Sequence, residues 1–196
     1  MKRAALGFSV HSGWAALVAV AIEERFPLLI LRERTHLVNT FSFEFRQPYH
    51  TAKKKPLDEA RDFIAQVRAE AGALADQAIQ SVHTTLKGLG YEFKSSGHLA
   101  SSARALPELP LILASHALIH TADGELFREA LLDACKHHGL LTLTIKEIEI
   151  GERAAEVLQL SSSELQGRLK ALGRLHGSPW TRDEKHATLA ACLSLL

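Results

Sequence analysis

The first 22 residues, MKRAALGFSVHSGWAALVAVAI, place two apolar runs on either side of a Ser-Gly pair. Each run has the length of a β-strand, and such a pair between two strands is typical of a hairpin turn. Lys2 and Arg3 before an apolar run also suit a secretory signal, but His11 and the turn residues interrupt that run in its middle. The run is too short to span a bilayer. We therefore predict a strand hairpin at the start of a cytoplasmic protein that has no membrane partner.

The chain of 196 residues contains 46% apolar and 23% charged residues, which is ordinary for a soluble globular protein. This length suits one well-buried core, so we predict a single domain over residues 1–196. The net charge of +1 gives no global attraction to nucleic acid or acidic lipid, and any such attraction has to be local. Cys135 and Cys192 lie among apolar or helix-forming residues, and we expect two unpaired thiols rather than a disulfide.

The spacing of apolar residues predicts the remaining elements. A third strand is expected in FPLLILRERTHLV, and the alternation in FSFEF either extends the sheet or lies over a helix. Pro56 precedes a long helix over 57–89, which is followed by a short strand YEFKS, a loop SGHLASSARALPELP and a buried strand LILAS. We then predict a helix over 122–138, a strand in LLTLTIKEIEI, and helices over 151–159, 162–173 and 182–195. This order indicates an α/β protein in which an antiparallel meander leads into a partly parallel sheet.

Three segments carry a resemblance to a known superfamily. LGFSVHSGWAALVAV resembles the opening hairpin of RuvC-type Holliday-junction resolvases, and RDEKHATLAACLSLL resembles their last helix. The segment LPLILASHALIHTADGELFREALLDACKHHGLLTLTI has the strand–helix–strand order of their middle section. The resemblance implies an α/β, ribonuclease H-like three-layer fold, with a mixed sheet that begins as an antiparallel hairpin and meander and has flanking helices.

The RuvC-type resemblance also implies a site where two divalent ions flank a scissile phosphate. In that family the ligands are an acid on the first strand, an acid that ends the fourth strand and acids on the last helix. Asp183 and His186 match the last-helix pair, of which Asp-x-x-His is a variant. The first-strand acid falls on Ser9, and the fourth-strand acid falls near residues 114–116, where no carboxylate stands.

Histidines stand near the positions of the missing acids. His11 lies at the first turn, and His116 and His120 follow the LILAS run. The resemblance brings them to one end of the sheet with the last-helix pair, where imidazoles beside one carboxylate suit zinc, manganese or iron better than magnesium. We therefore predict a site for a divalent metal (Mn, Zn or Mg) with ligands Asp183, His186, His116, His120 and His11. The predicted catalytic residues are Asp183, His186, His116 and Glu125, the last as an additional ligand or base.

The same residues have structural interpretations. An acid such as Asp183 in the first turn of a helix is favoured by the helix dipole regardless of function. His116 and His120 are explained as well by hydrogen bonding within the structure as by a site.

A second candidate surface is the segment YHTAKKKP. We predict nucleic-acid binding by Lys53, Lys54, Lys55, Tyr49 and His50, with the lysines on phosphates and the aromatic ring on a base. A run of charges before a helix is also commonly just a solvated surface.

Two functions follow from these observations. The first is a metal-dependent nuclease, in which a metal-bound hydroxide attacks a phosphodiester and the histidines and Asp183 hold the metal. The alternative is a module of the same fold that has lost its acids and binds nucleic acid or a protein partner, similar to degenerate ribonuclease H-like domains or to the middle domain of peptide release factors. Ser9 in place of an acid favours the alternative, whereas the histidines near Asp183 favour the nuclease.

Overall fold

The structure is a computed structural model that describes residues 1–23, 26–100 and 105–196. Its strands are β1 (Lys2–His11), β2 (Trp14–Glu23), β3 (Phe26–His36), β4 (Tyr91–Ala100) and β5 (Leu141–Lys146). Its helices are α1 (Phe43–Arg46), α2 (Pro48–Ala52), α3 (Leu57–Gly88), α4 (Leu109–Ala114), α5 (His116–His137), α6 (Ile150–Leu158), α7 (Ser162–His176) and α8 (Arg182–Leu195).

The first three strands form the predicted antiparallel meander. β1 pairs with β2 through a tight turn in which His11 faces Trp14, and β2 pairs with β3. Gly13 in this turn has a φ of 82°, which a residue with a Cβ adopts only with strain. Residues 1–22 are therefore the first hairpin of the sheet, as predicted. Within the described part of the chain, no helix combines the length and the apolar character that crossing a membrane requires.

The five strands form one mixed sheet in the order β3-β2-β1-β4-β5, with β4 and β5 parallel to β1. Because side chains alternate along a strand, β1 contributes to two cores. Leu6 and Phe8 pack with α3 and α5 on one face, whereas Ala5 packs with α8 on the other. On the face that α8 covers, helices α6 and α7 pack with α8 and with Ile145 of β5. The predicted three-layer α/β fold is confirmed.

Both cysteines are free and buried, as predicted. Cys135 of α5 lies in the core that α3 and α5 form with one face of the sheet, and Cys192 of α8 lies in the core on the other face. Burial raises the pKa of Cys135 to about 11 and that of Cys192 to about 12, so both remain neutral thiols near neutral pH.

Two predicted elements have wrong bounds, since α5 begins at His116 rather than at 122 and β5 ends at Lys146 rather than at 150. Three other local predictions are wrong. The LILAS run belongs to helix α4, which has Pro110 in its first turn and only Ile112 buried. The FSFEF segment contains helix α1 instead of a strand. The predicted loop after YEFKS begins with strand, because β4 continues to Ala100. A short apolar run does not distinguish a helix from a buried strand, and the fourth strand is therefore β4.

Helix α8 lies unusually close to the sheet. A Cβ added to Gly7 of β1 would stand 1.9 Å from the Ala187 carbonyl oxygen, and one added to Gly97 of β4 would stand 2.0 Å from the Ala190 carbonyl oxygen. Gly7 and Gly97 are also partners in the β1–β4 register. The two glycines thus let the helix backbone rest directly on the strand backbones.

Replacing Gly97 with alanine should destabilise the fold, because the new methyl group has no room beside the Ala190 carbonyl. We expect Gly97→Ala to lower the free energy of unfolding by about 1–3 kcal/mol in urea titrations. The matched control is Gly72→Ala on α3, where an added Cβ meets nothing within 4 Å and where alanine should add about 0.5–1 kcal/mol. Equal stability of the two variants would contradict this packing.

A histidine takes part in the core next to this contact. His98 of β4 is 2% exposed, and its ring stacks on Phe8 at a centroid distance of 4.9 Å. Its Nε2 lies 2.9 Å from the Ser96 hydroxyl. Burial lowers the pKa of His98 from 6.5 to about 3, so the folded protein holds this ring neutral.

The lowered pKa of His98 predicts a loss of stability in acid. Below pH 6.5 the unfolded chain takes up a proton on this ring that the folded chain takes up only near pH 3, so this part of the stability is present above 6.5 and declines as the pH falls. We expect wild type to lose about 2 kcal/mol more than His98→Gln between pH 7 and pH 5, measured by urea unfolding. His83→Gln, at an exposed ring, should behave as wild type. Equal losses in wild type and His98→Gln would contradict the prediction.

Candidate functional site at the carboxyl end of the sheet

The start of α8 lies beside the carboxyl end of β1. Thr181 caps this helix with a capping box: its hydroxyl accepts from the Asp183 N–H, and Glu184 accepts from the Thr181 N–H at 2.6 Å. Glu184 is 8% exposed and is occupied by this cap. The cap leaves the other acid of the first turn, Asp183, to face the sheet.

Asp183 contacts the two β1 residues that end the strand on the α8 face. The Ser9 hydroxyl donates to Asp183 Oδ1 at 3.0 Å, and His11 Nε2 lies 2.8 Å from the same oxygen. Ser9 is 5% exposed, whereas the His11 side chain is 43% exposed. The predicted neighbours Asp183 and His11 do lie together, and one carboxylate oxygen is shared between a hydroxyl and an imidazole.

His186 lies one turn further along α8 and has a different partner. Its Nδ1 is 3.3 Å from Glu147 Oε1, and Arg182 Nη2 is 2.6 Å from the same oxygen. Burial lowers the pKa of His186, while the charge of Glu147 acts in the opposite direction. Glu147 was not among the predicted site residues, although it directly follows β5, whose carboxyl end meets the same edge of the sheet as those of β1 and β4.

The fourth strand supplies no acid to this edge. The prediction placed the missing fourth-strand position near residues 114–116, but Ala114 and His116 belong to α4 and α5. In β4 itself, the last carboxylate is Glu92 near the start of the strand. Residues after it are neutral or basic up to Ala100.

An aromatic and basic surface adjoins Asp183 on the face of the sheet that α8 covers. In the antiparallel register Ser9 faces Ala16, His11 faces Trp14, Ala16 faces Arg34, and Trp14 faces His36. Directly paired residues lie on one face of a sheet, so these residues form a row across the ends of β1, β2 and β3. The row lies on the face that α8 covers further along the strands.

The side chains of this row stack on one another. The His11 and Trp14 rings are parallel within 9° at 4.5 Å, and the Arg34 guanidinium lies 3.8 Å from the Trp14 ring centre. Phe41 continues the row, with Arg34 at 5.6 Å and Arg46 at 4.4 Å from its ring centre. We call His11, Trp14, Arg34, Phe41 and Arg46 the aromatic–arginine stack. His36 also stacks on Phe41, at 4.8 Å.

The other predicted metal ligands lie elsewhere. His116 and His120, at the start of α5, have their Nε2 atoms 3.0 Å apart and meet His50 of α2. Their group of three imidazoles does not include Asp183. Glu125 pairs with Arg128 at 2.7 Å on the same helix. The structure thus does not bring the five predicted ligands into one cluster.

The predicted nucleic-acid segment is only partly exposed. Tyr49 is 5% exposed and belongs to the core, so its ring does not offer a free face to a base in this structure. Burial raises its pKa. Lys53 and Lys54 are exposed, and the Lys55 ammonium lies 5.2 Å from the centre of the Phe63 ring.

No protein-family model and no curated protein matches the sequence, but solved structures resemble the fold. Thermus thermophilus RuvC in complex with a Holliday junction substrate matches with a TM-score of 0.56 and 10% identity, over 97% of this chain and 90% of the RuvC chain. The chain has a RuvC-type, ribonuclease H-like fold. Another Thermus thermophilus RuvC structure matches with a TM-score of 0.52 and 12% identity, over 96% of this chain and 91% of that one. The fold implied by the sequence motifs is confirmed.

Proposed function

We propose that this protein binds nucleic acid at the carboxyl end of its sheet, through the aromatic–arginine stack. The observation that carries the proposal is the contact of the exposed Arg34 guanidinium with two rings, at 3.8 Å from the centre of the partly exposed Trp14 and 5.6 Å from that of the exposed Phe41. Similarity in fold to a RuvC that is bound to a Holliday junction supports the same class of ligand. The predicted cytoplasmic location and single domain stay predictions.

The chemistry of the stack suits unpaired bases and the phosphates between them. Flat rings and guanidinium groups offer stacking surfaces to any base, and guanidinium groups also donate hydrogen bonds to phosphate oxygens. A net charge of +1 for the whole chain is no obstacle, because the interaction of charges is local at physiological salt. Arg34 and Arg46 supply the positive charge where the rings are. Single-stranded or branched nucleic acid is therefore the proposed ligand.

A pair of magnesium ions does not fit the residues at Asp183. Magnesium prefers carboxylate and water oxygens, and the neighbouring strands offer Ser9 on β1 and no acid after Glu92 on β4. One oxygen of Asp183 already accepts from Ser9 and His11. The residues around Asp183 therefore do not support hydrolysis through two magnesium ions.

A second candidate function is phosphodiester hydrolysis with one softer cation. It is favoured by the contact of Asp183 with His11 and by the position of His186 one turn along the same helix. An imidazole–carboxylate set is one that zinc or manganese accepts. Binding without hydrolysis remains the first proposal, because Asp183 Oδ1 is engaged in the structure by both of its β1 neighbours.

Removing the central guanidinium should weaken binding. For Arg34→Ala we expect lower affinity for a fluorescein-labelled single-stranded DNA, measured by anisotropy over a range of salt concentrations. If Arg34 meets one phosphate, the slope of log K against log salt should fall by about 0.7. Trp14→Leu should cost about 1–3 kcal/mol of binding by loss of base stacking.

The matched control is Arg61→Ala, at an exposed arginine of α3 in the opposite layer. It should retain wild-type affinity and wild-type salt slope. Equal weakening by Arg34→Ala and Arg61→Ala would mean that the stack is not the binding surface. Failure of the wild-type protein to bind DNA or RNA would favour the alternative of a protein partner.

Asp183→Asn separates the two candidate functions. For a binding protein, removal of a negative charge beside the stack should leave affinity for a four-way DNA junction unchanged or raise it, and neither form should cut the labelled junction in Mg²⁺, Mn²⁺ or Zn²⁺. Cleavage by wild type that Asp183→Asn abolishes would overturn the first proposal and establish the second. Circular dichroism of the variant checks that α8 remains folded.

A further inference from the structure

Three imidazoles from two separate segments meet beside α5, away from the aromatic–arginine stack. His50 comes from α2, and His116 and His120 come from the first turns of α5. Residues four apart lie on one face of a helix, which brings the two α5 rings together with their Nε2 atoms 3.0 Å apart. One ring nitrogen from each of the three histidines lies within 4.8 Å of the other two.

A buried carboxylate orients the first of these rings. His50 Nδ1 lies 2.5 Å from Asp123 Oδ2, and the other oxygen, Oδ1, accepts from the Tyr49 N–H at 2.7 Å. Burial raises the pKa of Asp123, whereas its contacts with His50 and the Tyr49 N–H act in the opposite direction. An ionised carboxylate only accepts, so with Asp123 ionised Nδ1 of His50 carries the proton. Its Nε2 is then left with a free lone pair. Asp123 is 2% exposed, so its polar contacts are with protein groups in the interior.

This arrangement has the parts of a transition-metal site. Metal-bound histidines usually donate their second N–H to a carboxylate or a carbonyl, which fixes ring and tautomer. Tetrahedral zinc with bonds of about 2.0–2.1 Å needs ligand nitrogens about 3.3 Å apart, close to the 3.0 Å between His116 and His120. Those two side chains are exposed, so a fourth coordination position faces solvent.

We propose that His50, His116 and His120 form a binding site for a zinc-type divalent cation, with Asp123 as the positioning residue behind His50. The cation would join α2, in the connection between β3 and α3, to the start of α5. Three neutral imidazoles select zinc or cobalt over magnesium, which prefers oxygen. The site does not depend on the nucleic-acid function, and it assigns His50 to a metal rather than to a phosphate.

A second group of potential metal ligands lacks a buried carboxylate and therefore serves as the control for the proposed site. Asp76, His137 and His138 also lie within reach of one another. There, a single oxygen of Asp76 is shared by His137 at 3.2 Å and His138 at 3.3 Å. Asp76 itself is half-buried and the His137 side chain is 77% exposed. This group has no fully buried carboxylate that orients a ring.

The test is a titration of the tag-free, EDTA-stripped protein with Zn²⁺ and Co²⁺, followed by calorimetry and visible absorption. We expect one saturable site per chain, with the intense absorption bands of four-coordinate cobalt. His120→Gln should abolish this site, and Asp123→Asn should weaken it by about 10–100-fold. His137→Gln should leave both stoichiometry and spectrum unchanged.

Several outcomes would overturn the proposal. They are absence of saturable binding in wild type, a weak six-coordinate cobalt spectrum, and loss of binding in His137→Gln with retention in His120→Gln. Circular dichroism shows whether each variant is folded; His120 is exposed, so its replacement should not unfold the protein. DNA binding is measured separately, and its loss or retention leaves the metal result unaffected.

Discussion

The contact between α8 and the sheet determines where the chemical groups of this protein lie. At Gly7 and Gly97 the helix carbonyls take the space that side chains would occupy. Because packed backbones leave little freedom to shift, the first turn of α8 has a defined position over the end of β1. Asp183 therefore meets Ser9 and His11. A helix held further from the strands by ordinary side chains would carry Asp183 away from them.

The sequence predicted the elements with strong, long-range patterns. The opening hairpin, the long helix α3 and the helices α7 and α8 follow from alternation and helical periodicity. β4 was predicted only in part, since Ser96 and Gly97, which open the predicted loop, are not typical strand residues. A glycine is needed at position 97 because the Ala190 carbonyl of α8 lies so close. Ala190 is nearly a hundred residues away in the chain, so no local pattern marks this requirement.

The site residues, too, were predicted only in part. The pairing of Asp183 with His11 followed from the resemblance of the first hairpin and the last helix. The contact of His50 with Asp123 could not be predicted, because the two residues are 73 positions apart and no local sequence pattern links them. The neighbouring lysines instead led to a prediction of nucleic-acid binding for His50. The aromatic–arginine stack was missed because it depends on the register of three strands, which places Trp14 opposite His36 and Ala16 opposite Arg34.

The paired glycines have a consequence for how the sheet assembles. Parallel strands have no hairpin to set their alignment, and moving β4 by one residue against β1 would turn every side chain to the other face. His98 would then point toward α8 and lose its stacking partner Phe8. With Gly97 beside Gly7, neither strand has a Cβ at the place where the α8 backbone rests. A shifted β4 would not offer α8 the same contact, so the packing of α8 also favours the native alignment of β4 with β1.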